Sequence, residues 1–121
     1  MNHDSHNLFV VGDSHESMAV AANAVAGAQG GYCAVVGHEV RAMVALPIAG
    51  LLSDRPSAEV ADGLDEVERV LVDELGCTLR YRPIYALNFL CLPNIPDVGV
   101  TDRGIVETAT MRLLNTVVDH C

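Results

Sequence analysis

The chain has 121 residues, sixteen acids against seven bases, and a formal net charge of −9. That is the size of one ordinary domain, able to bury about two thirds of the surface its unfolded form exposes, and too short for an eight-stranded β/α barrel of ~250 residues. All seven basic residues are Arg and there is no Lys, so the acidic balance argues against nucleic acid and against an anionic membrane surface as partners.

Half the residues are apolar, with 17 Val, 14 Ala and 13 Leu against 2 Phe, 3 Tyr and no Trp. The expected core is built from small aliphatic side chains that allow close backbone approach. A mean hydropathy of +0.30 leaves apolar surface for a partner. The start, Met1 to Asn7, is polar and lacks the basic-then-apolar order of a signal peptide. No apolar run reaches the ~20 residues of a membrane span. Cys33, Cys77, Cys91 and Cys121 form no C-x-x-C pair. They read as free thiols in a reducing cytoplasm, Cys33 and Cys91 as small buried hydrophobes.

In chain order, L-F-V-V at 8–11 is a short apolar run closed by Gly12, the pattern of a buried strand. Asp13 is positioned as an N-cap with Glu16 three residues on. Met18, Ala21, Ala22, Val25 and Ala28 follow at helical spacing, so a helix is predicted over 14–29, ended by Gly30-Gly31 with one of them left-handed. Two β-rich runs between Tyr32 and Leu46 flank Gly37-His38-Glu39 and predict a hairpin. Its second strand alternates, with Val40, Ala42, Val44 and Leu46 on one side.

An apolar link, Pro47 to Leu52, leads to the polar corner Ser53-Asp54-Arg55-Pro56. Pro56 and Ser57 start a helix whose apolar stripe is Val60, Leu64, Val67, Leu71 and Leu75, ended by Gly76. Its other face carries seven of the sixteen acids, which reads as solvation rather than catalysis. Residues 77–82 are a strand or a linker, and Ile84 to Leu92 a helix or a strand. Pro93 and Pro96 interrupt regular structure. Val98 to Val100 is a short edge strand and Thr101 to Gly104 a turn. Glu107 to Val118 has the composition of a last helix. The predicted class is α+β: a small mixed sheet, in the order strand, helix, β-hairpin, amphipathic helix, short strands, with helices packed on it, forming a single domain over 1–121.

Three polar corners stand against this apolar background: His3-Asp4-Ser5-His6-Asn7, Ser53-Asp54-Arg55-Pro56 and Thr101-Asp102-Arg103-Gly104. The first sets two imidazoles around a carboxylate and a hydroxyl at the lip of a strand. His3 and His6 are candidate metal ligands, although H-x-x-H on a strand sends the rings to opposite faces and needs a turn to join them. Asp4, Ser5 and His6 are candidate ligand-binding groups, with strand capping as the plainer reading. Ser53 and Asp54 are candidates too, with helix capping beside them. Asp102 reads as a turn residue that bonds its own backbone. The chain has no Walker loop, G-x-G-x-x-G, G-x-S-x-G, H-x-H or H-E-x-x-H.

The ordered blocks H-D-S-H-N with L-F-V-V-G (3–12), L-P-I-A-G-L-L-S-D-R-P (46–56), A-L-N-F-L-C-L-P-N-I-P (86–96) and T-D-R-G-I-V (101–106) resemble the C-terminal domain of bacterial and archaeal adenine deaminases of the amidohydrolase superfamily. The resemblance runs from about His3 to Val106; Glu107 to Cys121 departs from the usual family tail. It implies hydrolytic deamination of adenine to hypoxanthine and ammonia in purine salvage. It also implies that manganese or iron resides in a β/α barrel N-terminal to this region, which supplies a metal-activated water. This chain has neither room for the barrel nor an H-x-H, so it is expected to carry no cofactor, no catalytic residue and no activity alone.

The implied partner is that barrel, as a preceding domain or a separate subunit, with Asp4, Ser5, His6, Ser53 and Asp54 turned to substrate and His3 and His6 to metal. A homo-oligomer in the cytoplasm is expected. The rival reading is a non-catalytic binding or assembly module that kept the fold without the barrel. A third is a small independent hydrolase built on His3, Asp4 and His6.

Overall fold

The computed structural model describes residues 7–90, 92, 94, 95 and 97–115. The chain runs α1 (His15–Gly27), β1 (Gly31–Val36), β2 (Glu39–Ala45), α2 (Ser57–Asp73), α3 (Pro83–Leu90), β3 (Val98–Thr101), β4 (Gly104–Glu107) and β5 (Arg112–Leu113). The α+β class stands. The strands form two separate antiparallel sheets, β1-β2 and β3-β4-β5, in place of one mixed sheet. Residues 8–11 pair with no strand among the described residues.

α1 begins one residue later than expected. Ser14, not Asp13, is the N-cap: its side chain accepts from the Ser17 N–H at 3.1 Å and its backbone is extended. At the other end Gln29, at φ +63, takes the left-handed position, and the Gly30 N–H reaches back to the Val25 carbonyl at 2.9 Å. The two glycines that follow serve a different purpose, close backbone approach: Gly30 to the link beyond β2, and Gly31 to Val44 and Ala45 of β2 itself.

β1 and β2 make the predicted hairpin around Gly37-His38, with a bulge where Ala34 pairs Ala42 and Val35 pairs Val40. Successive side chains of β1 point to opposite faces. Cys33 faces α1, its thiol donating to the Ala21 carbonyl at 3.7 Å. Ala34, 1% exposed, faces α2 and joins Ala42, Val44, Leu46, Val67, Val70 and Ile84 in the buried core. The hairpin is therefore a middle layer with one helix on each face. Val44 and Leu46 are buried as the alternation requires, while Val40 at the turn is exposed.

On α2, Val67 and Val70 are the fully buried positions. Val60, Leu64 and Leu71 pack partly buried around them. Leu75, expected on the stripe, is exposed. The predicted stripe therefore holds from Val60 to Leu71, with Val70 added to its buried centre. Gly76, at φ +66, ends the helix as predicted, and the Cys77 N–H reaches the Leu71 carbonyl at 2.9 Å. Residues 77–82 are irregular and Pro83–Leu90 is helical.

The expected last helix over 107–118 is overturned within the described residues. Val98–Thr101 and Gly104–Glu107 pair as a hairpin, and Arg112 and Leu113 return along β4. Met111 sits at φ +54, which no helix accepts, and the Leu114 N–H bonds the Ile105 carbonyl at 2.7 Å. This meander meets the rest through α3.

Candidate functional site

Two of the three polar corners fall within the described residues. His3, Asp4, Ser5 and His6 lie outside them, as do Cys91 and Cys121.

The Ser53 corner hangs from a tight turn. Ile48 and Leu52 bond each other's backbones at 3.1 Å in both directions, with Ala49 at φ +56 and Gly50 at φ +71 between them. The turn rests on Gly30, where a Cβ would lie 2.3 Å from the Cα of Gly50. The Ser53 hydroxyl accepts from the Arg55 N–H at 3.2 Å, a turn that re-aims the chain into α2. Arg55 reaches Glu59 at 3.5 Å along the helix. Neither Ser53 nor Asp54 caps α2: the N-cap is Pro56, without a side-chain bond. Asp54 is exposed and Ser53 half-buried. Ser53 is thus spoken for by its own turn, while Asp54 projects a carboxylate from a rigid, apolar-footed corner.

The third corner is the β3-β4 turn. Thr101, not Asp102, does the bracing: its hydroxyl donates to the Gly104 carbonyl at 2.8 Å and accepts from the Arg103 N–H at 3.2 Å. A threonine opening a T-D-R-G turn was the signal that points to it.

A groove of about 1290 Å³ runs along β1, between residues 7–14 and α1 on one side and α2, α3 and the 49–51 turn on the other. Its lining is mainly apolar, including Phe9, Val10, Met18, Val35 and Leu87. Polar groups of β1 and α3 also line it. The Asn88 side-chain amide donates to the Tyr32 hydroxyl at 3.1 Å, tying α3 to β1; an Asn inside A-L-N-F-L signals such a partner, because a half-buried amide must be satisfied. The Cys33 thiol is pushed up from its ordinary pKa by burial, which keeps it protonated and a poor nucleophile. Among the described residues no three His, Cys, Asp or Glu side chains gather where they could hold a metal ion. The described corners therefore do not fit a catalytic metal. No helix among them is long and apolar enough to cross a membrane.

These features define a small α+β domain whose polar groups sit on rigid turns around an apolar layer. The chain belongs to the adenine deaminase C-terminal domain family, whose model matches residues 1–112. It is 47% identical over 114 residues to an adenine deaminase of Methylobacterium sp. (strain 4-46), covering 94% of this chain and 20% of that one. It is 44% identical over 115 residues to the adenine deaminase of Moorella thermoacetica, covering 95% of this chain and 19% of the relative. A third, from Desulforamulus reducens, is 36% identical over 119 residues, 98% of this chain and 20% of the relative. The chain spans about a fifth of the length of the curated relatives it matches.

Proposed function

We propose that this chain, as one domain over 1–121, serves as the C-terminal domain of an adenine deaminase or as a stand-alone homologue of it. The reaction is hydrolytic deamination of adenine to hypoxanthine and ammonia, in purine salvage in the cytoplasm. The observation that carries this reading is the 47% identity to a protein named adenine deaminase across 94% of the chain. The partner is a barrel domain or barrel subunit. Manganese or iron held there supplies an activated water, a chemistry for which the described residues of this chain offer no ligand group.

The chain's own contribution lies at the mouth of that barrel. Asp54, exposed on a corner braced by Ser53, suits hydrogen bonding to the purine's N–H groups. Asp4, Ser5 and His6 act beside it, with His3 and His6 directed to the metal. Docking through exposed apolar side chains such as Ile48 and Leu52, and assembly into a homo-oligomer, complete the reading.

The test is a chimera in which this chain replaces the matching fifth of the Methylobacterium relative, assayed with adenine and added manganese or iron. The chimera turns over, and His6→Ala and Asp4→Ala each lower the rate by at least ~10-fold at unchanged metal content. Full turnover in both variants returns that corner to strand capping. A folded but inactive chimera favours the assembly-module reading.

A further inference from the structure

β1 has one partner among the described residues, β2. The Leu46 N–H bonds the Gly30 carbonyl at 2.9 Å, which sets the alternation along β1. Even-numbered residues direct their backbone groups to β2, so the N–H and C=O of Cys33 and Val35 point the other way. That side is not open solvent. It is the floor of the groove, walled by α1 on one face of the hairpin and by α2 and α3 on the other. A sheet edge in such a slot leaves backbone donors and acceptors to be satisfied. A strand seated there would be covered on both faces and must be apolar throughout.

Residues 8–11, L-F-V-V, have that composition and line the same groove. Leu8 is 57% exposed and Val11 63% exposed, an unfavourable state for a run of this kind. Chain geometry aims them correctly. The Ser17 hydroxyl donates to the Gly37 carbonyl at 2.5 Å, which fixes the start of α1 beside the hairpin turn. Residues 8–11 therefore run back from that end toward Gly31, parallel to β1, through a strand–helix–strand crossover. Four residues span ~13 Å, most of the length of β1.

We propose that residues 8–11 are a strap that closes into the groove as a third strand, parallel to β1. Closure satisfies the edge groups of Cys33 and Val35 and buries Leu8 and Val11. It also carries Asn7 to the Gly30–Gly50 contact from which the Ser53–Asp54 corner hangs. This holds independently of any role in deamination.

Amide hydrogen exchange on the full chain, read residue by residue by NMR, tests it. Cys33 and Val35 amides are expected to exchange at least ~10-fold more slowly than the exposed turn amide of His38, with cross-strand contacts to residues 8–11. Phe9→Pro and Val10→Pro form the variant pair. Successive residues direct their N–H groups to opposite sides, so one of the two deletes a ladder bond to a β1 carbonyl, which unseats so short a strand and with it the acceptors that protect Cys33 and Val35. Protection of the Val67 and Val70 amides in α2 is unchanged in a folded variant. Cys33 and Val35 amides as fast as His38, or protection that survives both prolines, overturns the proposal. Protection that rises with protein concentration also overturns it, by putting a second copy's strand in the slot.

Discussion

Gly30 and Gly50 meet backbone to backbone: a Cβ on Gly30 would lie 2.3 Å from the Cα of Gly50 and 3.0 Å from the Leu46 carbonyl oxygen. Gly30 also sits at φ +125, where other residues are strained. Gly30→Ala is expected to cost at least ~2 kcal/mol in urea or thermal unfolding. Gly37→Ala is the control, at φ +62 with nothing within 4 Å of the added atom, and is expected to cost about 1–2 kcal/mol from the left-handed backbone alone. A loss at Gly30 no larger than at Gly37 would mean that the contact with Gly50 is easily relieved.

Val67 and Val70, 1% and 0% exposed, anchor α2 on the hairpin. Truncating either to Ala is expected to cost about 2–3 kcal/mol, the lower part of the range for core truncations. Leu75→Ala, at a position 46% exposed, is expected to cost under ~1 kcal/mol although it removes more atoms. The reverse order in chemical denaturation would put Leu75 in the buried seam and Val67 and Val70 outside it.

Arg69 donates to both carboxylate oxygens of Glu66, at 2.8 and 2.6 Å. The hydrogen bonds, reinforced by the charge of Arg69, hold the Glu66 carboxyl below its ordinary pKa. A lowered folded-state pKa contributes stability that is present above the unfolded-state value and is lost as pH falls through the folded-state value. The pair faces solvent, so the loss on acidification is small and screened by salt. Arg69→Ala is expected to raise the Glu66 midpoint toward the ordinary carboxylate range in an NMR titration. An unmoved midpoint would remove the pairing in solution.

Burial raises the Cys33 thiol pKa and leaves it donating to the Ala21 carbonyl. Alkylation of Cys33 near pH 8, followed by peptide mapping, is expected to be at least ~10-fold slower in the native chain than in urea. Equal rates would show that α1 leaves β1 readily.

The Ser53 hydroxyl accepts a bond from the Arg55 N–H at an exposed turn, so Ser53→Ala is expected to lower stability by no more than ~1 kcal/mol. Asp54→Asn is expected to leave the melting temperature unchanged. In the barrel-bearing chimera both are expected to lower turnover on adenine by at least ~10-fold if the corner faces substrate. Unchanged rates would reduce this corner to a turn.

Local chemistry made much of the fold legible. The stripe from Val60 to Leu71 and the stop at Gly76 placed α2, and alternation around Gly37 placed the hairpin, because side-chain periodicity records which face meets the core. The ordered blocks, among them Leu46 to Pro56 and Ala86 to Pro96, carried the family resemblance. Where two adjacent residues competed for one local role, the outcome was less legible: Ser14 capped α1 in place of Asp13, and Gln29 took the left-handed position in place of a glycine.

What the tertiary structure alone decided is the pairing of distant backbone. Glu107 onward has helix-like composition, yet β4 offers a neighbouring strand edge, and ladder bonds to it outweigh a weak helical preference. The need for Gly30 comes from Gly50, twenty residues on in sequence but adjacent in space. L-F-V-V at 8–11 has the composition of a buried strand, but composition cannot supply the edge it must bond. The edge is made by β1, and its pairing depends on how closely the chain before α1 approaches. Periodicity is a property of neighbours along the chain, whereas hydrogen-bond partners and close contacts are properties of the folded whole.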